Sequence, residues 1–151
     1  MPLVDALRLS LPPEPGLSLV ACAGDAVVGH VLFSRNLLDA PRELVDVQVL
    51  GPVAVLPTHQ RHGIGAGLIE RGVAMLEERG GPGVFLEGSP AYYPRVDFTP
   101  ACGHGFRKPS LRIPDSAFQV RLLAAYEPWM TGTLVYRQTF WDHDAVGLRH
   151  C

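Results

Sequence analysis

The sequence predicts an α/β fold built on a mixed β-sheet, and three observations carry that prediction. Two β-rich runs, residues 17–23 and 26–34, are separated by Gly24-Asp25, a pair suited to the turn of an antiparallel hairpin. Residues 45–56 form the longest strand candidate, apolar without a break from Val49 to Leu56 apart from Gly51 and Pro52. An amphipathic helix over 63–79 then leads to a short apolar run at 84–87, which makes a parallel β-α-β crossover.

Taken in chain order, residues 4–9 fit a short helix or the tail of one. The proline-rich stretch Leu11-Pro12-Pro13-Glu14-Pro15-Gly16 cannot hold helix. The hairpin follows, with Gly29 marking a bulge or a close approach. A polar loop is expected at 36–43, and the long strand after it reads as central and buried on both faces until Pro57 ends it. In the helix, Ile64, Leu68, Ile69, Val73 and Leu76 trace one face, while Glu70, Arg71, Glu77 and Glu78 lie mostly away from it. Gly80-Gly81-Pro82-Gly83 closes it. A brief helix is expected at 91–96, glycine- and proline-rich loop at 100–114, and strands near 118–123 and 133–138.

Composition bounds the rest. With 151 residues, 47% hydrophobic and 19% charged, residues 1–151 are expected to form a single domain with a real core. The formal net charge is -2 and the thirteen Lys and Arg are dispersed, so neither a nucleic-acid footprint nor a polybasic membrane patch is expected. The N-terminal residues lack a secretory pattern and no apolar run approaches membrane-spanning length, which points to a soluble, cytoplasmic protein. Cys22, Cys102 and Cys151 are odd in number and far apart, so free thiols are expected. The pairs His59/His62 and Cys102/His104 lack further ligands at zinc spacing, and no metal is expected.

The most informative segment is Gln60-Arg61-His62-Gly63-Ile64-Gly65-Ala66 at the head of the helix. Gly63 and Gly65 allow close backbone approach, and the first turn of a helix leaves N–H groups without partners. A helix complementing its own dipole would carry Asp or Glu there, yet the first acid is Glu70. A ligand supplying negative charge fits this pattern; a tight turn or close helix packing fits the glycines too. Neither a P-loop nor a dinucleotide fingerprint is present, since no Lys-Ser or Lys-Thr follows the glycines and Leu68 stands where the last dinucleotide glycine belongs.

After the crossover the chain runs Leu86-Glu87-Gly88-Ser89-Pro90-Ala91-Tyr92-Tyr93-Pro94-Arg95-Val96-Asp97-Phe98. Gln60 to Gly65 matches a Q/R-x-x-G-x-G/A signature, and Tyr93 stands five residues before Phe98. On these two segments the chain resembles the GNAT N-acetyltransferase superfamily. It is similar to a subgroup of small bacterial predicted acetyltransferases that pair Gly51-Pro52-Val53-Ala54-Val55-Leu56-Pro57 with Pro90-Ala91-Tyr92-Tyr93-Pro94-Arg95. The resemblance spans residues 17–140.

The resemblance implies a GNAT-like splayed mixed sheet with flanking helices, binding acetyl-CoA as cosubstrate. The edge of the long strand (Val53, Ala54, Val55) would pair with the pantetheine arm. Gln60, Arg61, His62, Gly63, Ile64, Gly65 and Ala66 would surround the pyrophosphate, with Ser89 and Tyr93 also on the cofactor. Amides aimed at the thioester oxygen suit the charge that develops there. Tyr93 would be the general acid for the departing thiolate, a phenol near 10 holding its proton beside a thiol near 8.5; the competing role for Tyr92 and Tyr93 is aromatic packing, which is favoured for Tyr92. Glu87 is the candidate base for the acceptor amine, with capping or loop bracing as its alternative role. Asp46 and Glu43 are weaker candidates because they lie at the opposite end of the long strand, and His30 reads as a sheet residue.

The chain departs from the family pattern in places. Only 16 residues precede Leu17, so the family's first strand and helix are expected to be missing, leaving 17–23 as an edge that a second subunit in a homodimer would cover. Ser89 replaces an Asp common in the subgroup, and Asp97 replaces the usual glycine before Phe98, a position Asp tolerates in left-handed geometry. Two functions follow: an N-acetyltransferase acting on a primary amine, or a truncated acyl-CoA-binding or interaction module lacking a complete acceptor site.

Overall fold

A computed structural model describes residues 16–136. The hairpin forms as expected: β1 (Leu17–Ala23) pairs antiparallel with β2 (Ala26–Asp39) around Gly24, which takes a left-handed turn conformation. β2 also pairs antiparallel with β3 (Leu44–Val55). Helix α1 (Ile64–Glu78) crosses to β4 (Gly83–Glu87), which pairs parallel with β3. Short strands β5 (Thr99–Pro100) and β6 (Phe106–Arg107) precede β7 (Phe118–Leu122) and β8 (Gly132–Val135). The sheet runs β5-β7-β4-β3-β2-β8-β6, with β1 also on β2. The result is the mixed, splayed GNAT-like sheet that the resemblance implied.

The core lies on both faces of this sheet, and strand alternation sorts it. Val31 and Phe33 of β2, Leu50 of β3, and Val84 and Leu86 of β4 pack with Leu68, Ile69, Val73 and Leu76 of α1. Leu32, Val47, Val49 and Phe85 point the other way, onto Ile113, Phe118, Leu134 and Tyr136. Helix α1 approaches β2 closely because two glycines permit it: a Cβ on Gly29 would meet Ile64 at 3.0 Å, and one on Gly72 would meet the Phe33 ring Cζ at 2.5 Å.

Three expectations are revised. The loop placed at 36–43 is mostly strand, because β2 continues to Asp39 by pairing Leu37, Leu38 and Asp39 with β8. Buried Asn36 is accommodated there by donating to the Ser34 carbonyl at 3.1 Å. The long strand is not buried on both faces throughout: Val47 to Leu50 is buried, but residues 51–55 are half-exposed. Its contact with β4 is confined to Gln48↔Val84 and Val49↔Phe85, beyond which the two parallel strands part. The stretch expected as loop at 100–114 holds the end of β5 and the short strand β6, while the brief helix expected at 91–96 forms as a 3-10 helix, Tyr93–Val96. The expected elements at 4–9, the missing first strand and helix, Gln138 and Cys151 fall outside the described residues. Cys22 and Cys102 are exposed free thiols.

Candidate active site

The split between β3 and β4 has a local cause. Val31 pairs with Val53 and Phe33 with Leu50, so Gly51 and Pro52 together stand opposite Leu32 alone. This is a β-bulge, which bends its strand and raises the local twist. Beyond it, β3 leaves the β4 ladder and exposes one edge. The Leu56 N–H donates to the Val28 carbonyl at 2.8 Å. Bonded pairs alternate along an antiparallel ladder. Ala54 therefore turns its backbone groups toward His30, whereas those of Val53 and Val55 face the split.

At the far end of that edge lies the cradle. Gly63 stands at the N-cap of α1 in left-handed geometry (φ 78°), and Arg61 is left-handed as well (φ 66°). No side chain caps the helix and no acid occupies its first turn. The Gly67 N–H donates to the Gly63 carbonyl at 2.9 Å, so the N–H groups of Ile64, Gly65 and Ala66 lie ahead of the helical ladder. The Gln60 amide donates to the Val55 carbonyl at 3.0 Å and ties the loop to the end of β3.

These parts surround an open cleft of about 810 Å³ whose lining joins Val53 and Val55 to Gln60, Arg61, Gly63, Ile64, Gly65, Ala66 and Tyr93. Among the described residues its walls carry the cationic Arg61 and Arg95, together with His59, and no carboxylate. Such a lining favours a polyanionic ligand. In the sequence His59 stands out only as half of a histidine pair and Arg95 only as the end of the subgroup motif, and neither carries a signal for the cleft that both line. Tyr92 packs as expected, edge-on against the Tyr93 ring at 4.9 Å, and its hydroxyl lies 3.1 Å from where a Cβ on Gly65 would stand, over the cradle itself.

Tyr93 is seated more deeply than Tyr92. Its ring meets Tyr92 edge-on at 4.9 Å and Phe98 at 6.0 Å, and burial pushes its phenol pKa up, with Tyr92 adding to the shift. The chain turns sharply beneath it, with the Phe98 N–H on the Tyr93 carbonyl at 3.2 Å and Asp97 in left-handed geometry (φ 66°), as expected of that substitution.

Not every expected site residue meets in the cleft. Ala54, His62 and Ser89 do not line it. Ala54 spends its backbone on β2, and His62 is exposed. Ser89 sits with Glu87 around a separate recess, its Oγ accepting from the Ala91 and Tyr92 N–H groups at 3.2 and 3.3 Å. His30 is a sheet residue bonded to Ser18 at 2.8 Å, as expected. Asp46 pairs with Arg35 at 2.9 Å near the opposite end of β3.

Comparison with known proteins agrees with this architecture. A family model described as acetyltransferase (GNAT) domain matches residues 8–101. The chain is 33% identical over 122 residues to the uncharacterized N-acetyltransferase YjhQ of Escherichia coli K12, covering 79% of this chain and 67% of the relative. The crystal structure of the E. coli GNAT family N-acetyltransferase YhbS in complex with CoA superposes with a TM-score of 0.80 at 32% identity, over 92% of this chain and 76% of that one. A GNAT family acetyltransferase from Brucella melitensis in complex with acetyl-CoA gives 0.68 at 33% identity, with the same coverage. The chain thus belongs to the GNAT family of N-acetyltransferases.

Proposed function

We propose that the protein transfers the acetyl group of acetyl-CoA directly to a primary amine. The observation that carries this reading is the continuity of the split edge at Val53 and Val55 with the uncapped N-terminus of α1 in one cleft that carries no carboxylate among the described residues. A thioester arm extends along the first, and a diphosphate takes the N–H groups of the second. YhbS and the Brucella enzyme, each solved with CoA or acetyl-CoA, support the ligand.

In this scheme the amine nitrogen attacks the acetyl carbonyl carbon, the C–S bond breaks, and the thiolate takes the Tyr93 proton. An amine arriving as ammonium loses two protons overall. Glu87 passes one to solvent, and the other restores Tyr93 through water. Val53, Val55, Gly63, Ile64, Gly65 and Ala66 hold the cofactor by backbone, with Arg61 and Arg95 answering its phosphates. A reaction drawing on acetyl-CoA suits the cytoplasm.

Two measurements test the scheme. Calorimetry should show acetyl-CoA binding to the purified protein, and an amine panel should release free thiol from it. Absence of binding overturns the proposal, and binding without release across the panel would mean an acyl-CoA-binding module. A homodimer is part of the same proposal: among the described residues β1 pairs only with β2, and Val20 and Val27 on this hairpin are 50% and 54% exposed. Sedimentation at micromolar concentration should show a dimer; a monomer rejects it.

A further inference from the structure

Glu87 points to the face of the sheet opposite α1. Along β4, Val84 and Leu86 pack toward the helix and Phe85 packs away from it, so alternation places Glu87 with Phe85. There it helps to wall a recess of about 370 Å³. Buried Ile113 and Ala117 form apolar wall, Ser89 and Ser116 line it beside them, and Glu87 is the only charged group of the lining among the described residues. The nearby Asp115 carboxylate is engaged elsewhere, by Lys108 at 2.8 Å and by the Cys102 thiol at 3.7 Å.

Gly88 alone separates the recess from the Tyr93 ring, with the recess on one face of the strand end and the ring on the other. Gly88 lines the recess, and the Tyr93 ring, which lines the cleft, lies against the α-carbon of Gly88. The Gln119 amide donates to the Gly88 and Ser89 carbonyls, each at 3.3 Å, and holds this strand end in place. On the β3 side of Glu87 no ladder closes the sheet, because pairing with β3 ends at Phe85. Glu87 thus stands at the strand end that borders the split, on the face opposite α1.

We infer that this recess is the acceptor site and that it selects a primary amine bearing one positive charge on a compact apolar body. The inference rests on the reading of Glu87 as proton acceptor given above. One carboxylate matches one ammonium. A polyamine or aminoglycoside would bring further charges beside Ile113 and Ala117 without partners, which is costly. An anionic amine would meet repulsion from Glu87. The apolar wall rewards an aliphatic or aromatic body in contact with it.

Benzylamine, benzyl alcohol and spermine are suitable probes, titrated into the isotope-labelled full chain and followed by amide resonances. Benzylamine should shift the amides of Gly88, Ser116 and Ala117, with benzyl alcohol and spermine each at least about tenfold weaker at those amides. Glu87→Gln should abolish the preference for amine over alcohol while leaving the resonance dispersion of a folded protein. The inference is overturned if benzylamine leaves those amides unmoved, if the alcohol or spermine binds as well as benzylamine, or if Glu87→Gln retains the preference. Acetyl-CoA titrated separately should shift the amides of Gly63, Ile64, Gly65 and Ala66. Failure of that shift removes the transferase reading but leaves the amine result to be judged alone.

Discussion

The ring of Tyr93 rests on the bare α-carbon of Gly88, where a Cβ would stand 2.5 Å from ring Cε2. Glycine at this position is a condition for the tyrosine's place, since a methyl group would drive the ring off its seat between Tyr92 and Phe98. Gly88→Ala should therefore lower turnover by about 100-fold, the lower end of the usual general-acid contribution. Acetyl-CoA affinity should change less than about twofold, because the cradle lies on another element. Thiol release and calorimetry on the same variant check the split. Equal turnover in the variant would show that the tyrosine's seat does not matter to the chemistry.

Tyr93→Phe removes the proton itself and should reduce turnover by about 100-fold or more with cofactor binding retained. The pH profile gives an independent check. Burial and Tyr92 hold the Tyr93 phenol above its usual range, so it stays protonated throughout neutral pH and is lost as acid only as pH climbs beyond about 10. Tyr136, buried and beside Glu87, shifts the same way. For both groups the folded state binds the proton more tightly than the unfolded chain. Their contribution to stability is thus complete below the ordinary phenol pKa and fades as pH rises through the folded values. Melting temperature should be insensitive to these two groups near neutrality and fall in strong alkali, with a smaller fall in Tyr93→Phe.

The first turn of α1 offers a test in which two observables move in opposite directions. Gly67 is exposed with open space where a Cβ would stand. Gly67→Ala should stabilise the protein by about 0.5–1 kcal/mol by helix propensity alone and leave acetyl-CoA affinity unchanged. Gly67→Glu gains most of that propensity and also places the acid that the first turn of this helix lacks. Its melting temperature should rise at least as far, while acetyl-CoA binding weakens about three- to tenfold through repulsion of the phosphates. Added salt should narrow the loss. Unaltered affinity would mean that no anion sits at this helix end.

Much of this is legible in the sequence because local rules and tertiary structure agree. Gly24-Asp25, the helical stripe through Leu68 and Val73, and the glycine stop at Gly80 each specify their element without help from afar. The cradle was legible for the same reason, since the absence of an acid before Glu70 is a property of sequence. What escaped depended on distant partners. Residues 36–39 look like a loop until β8 pairs with them, and the strand after Val49 looks doubly buried until the bulge at Gly51 and Pro52 carries it away from β4. Ser89 is expected on the cofactor from the family resemblance alone. Which face a residue joins at a strand end depends on the pleat and the following turn, and the fold sets Ser89 beside Glu87.

The contact between Gly72 and Phe33 sets how closely α1 lies on the sheet, and through that the height of the cradle above the split. Alanine at position 72 should be welcome by helix propensity, worth about 0.5–1 kcal/mol. Its methyl group would nevertheless run into the Phe33 ring, with Cζ only 2.5 Å away, and Phe33 is fully buried with no room to swing. Overpacking of this kind costs about 1–3 kcal/mol, so Gly72→Ala should be net destabilising where Gly67→Ala is stabilising. Relief requires α1 to lift from β2, and the Ile64 contact with Gly29 near the same helix's start should loosen with it. The expected signature in urea unfolding is a lower midpoint at unchanged slope, accompanied by weaker acetyl-CoA binding despite the distance of Gly72 from the cleft. A midpoint at or above wild type would show that the ring and helix yield easily, and that helix height is not fixed by this pair.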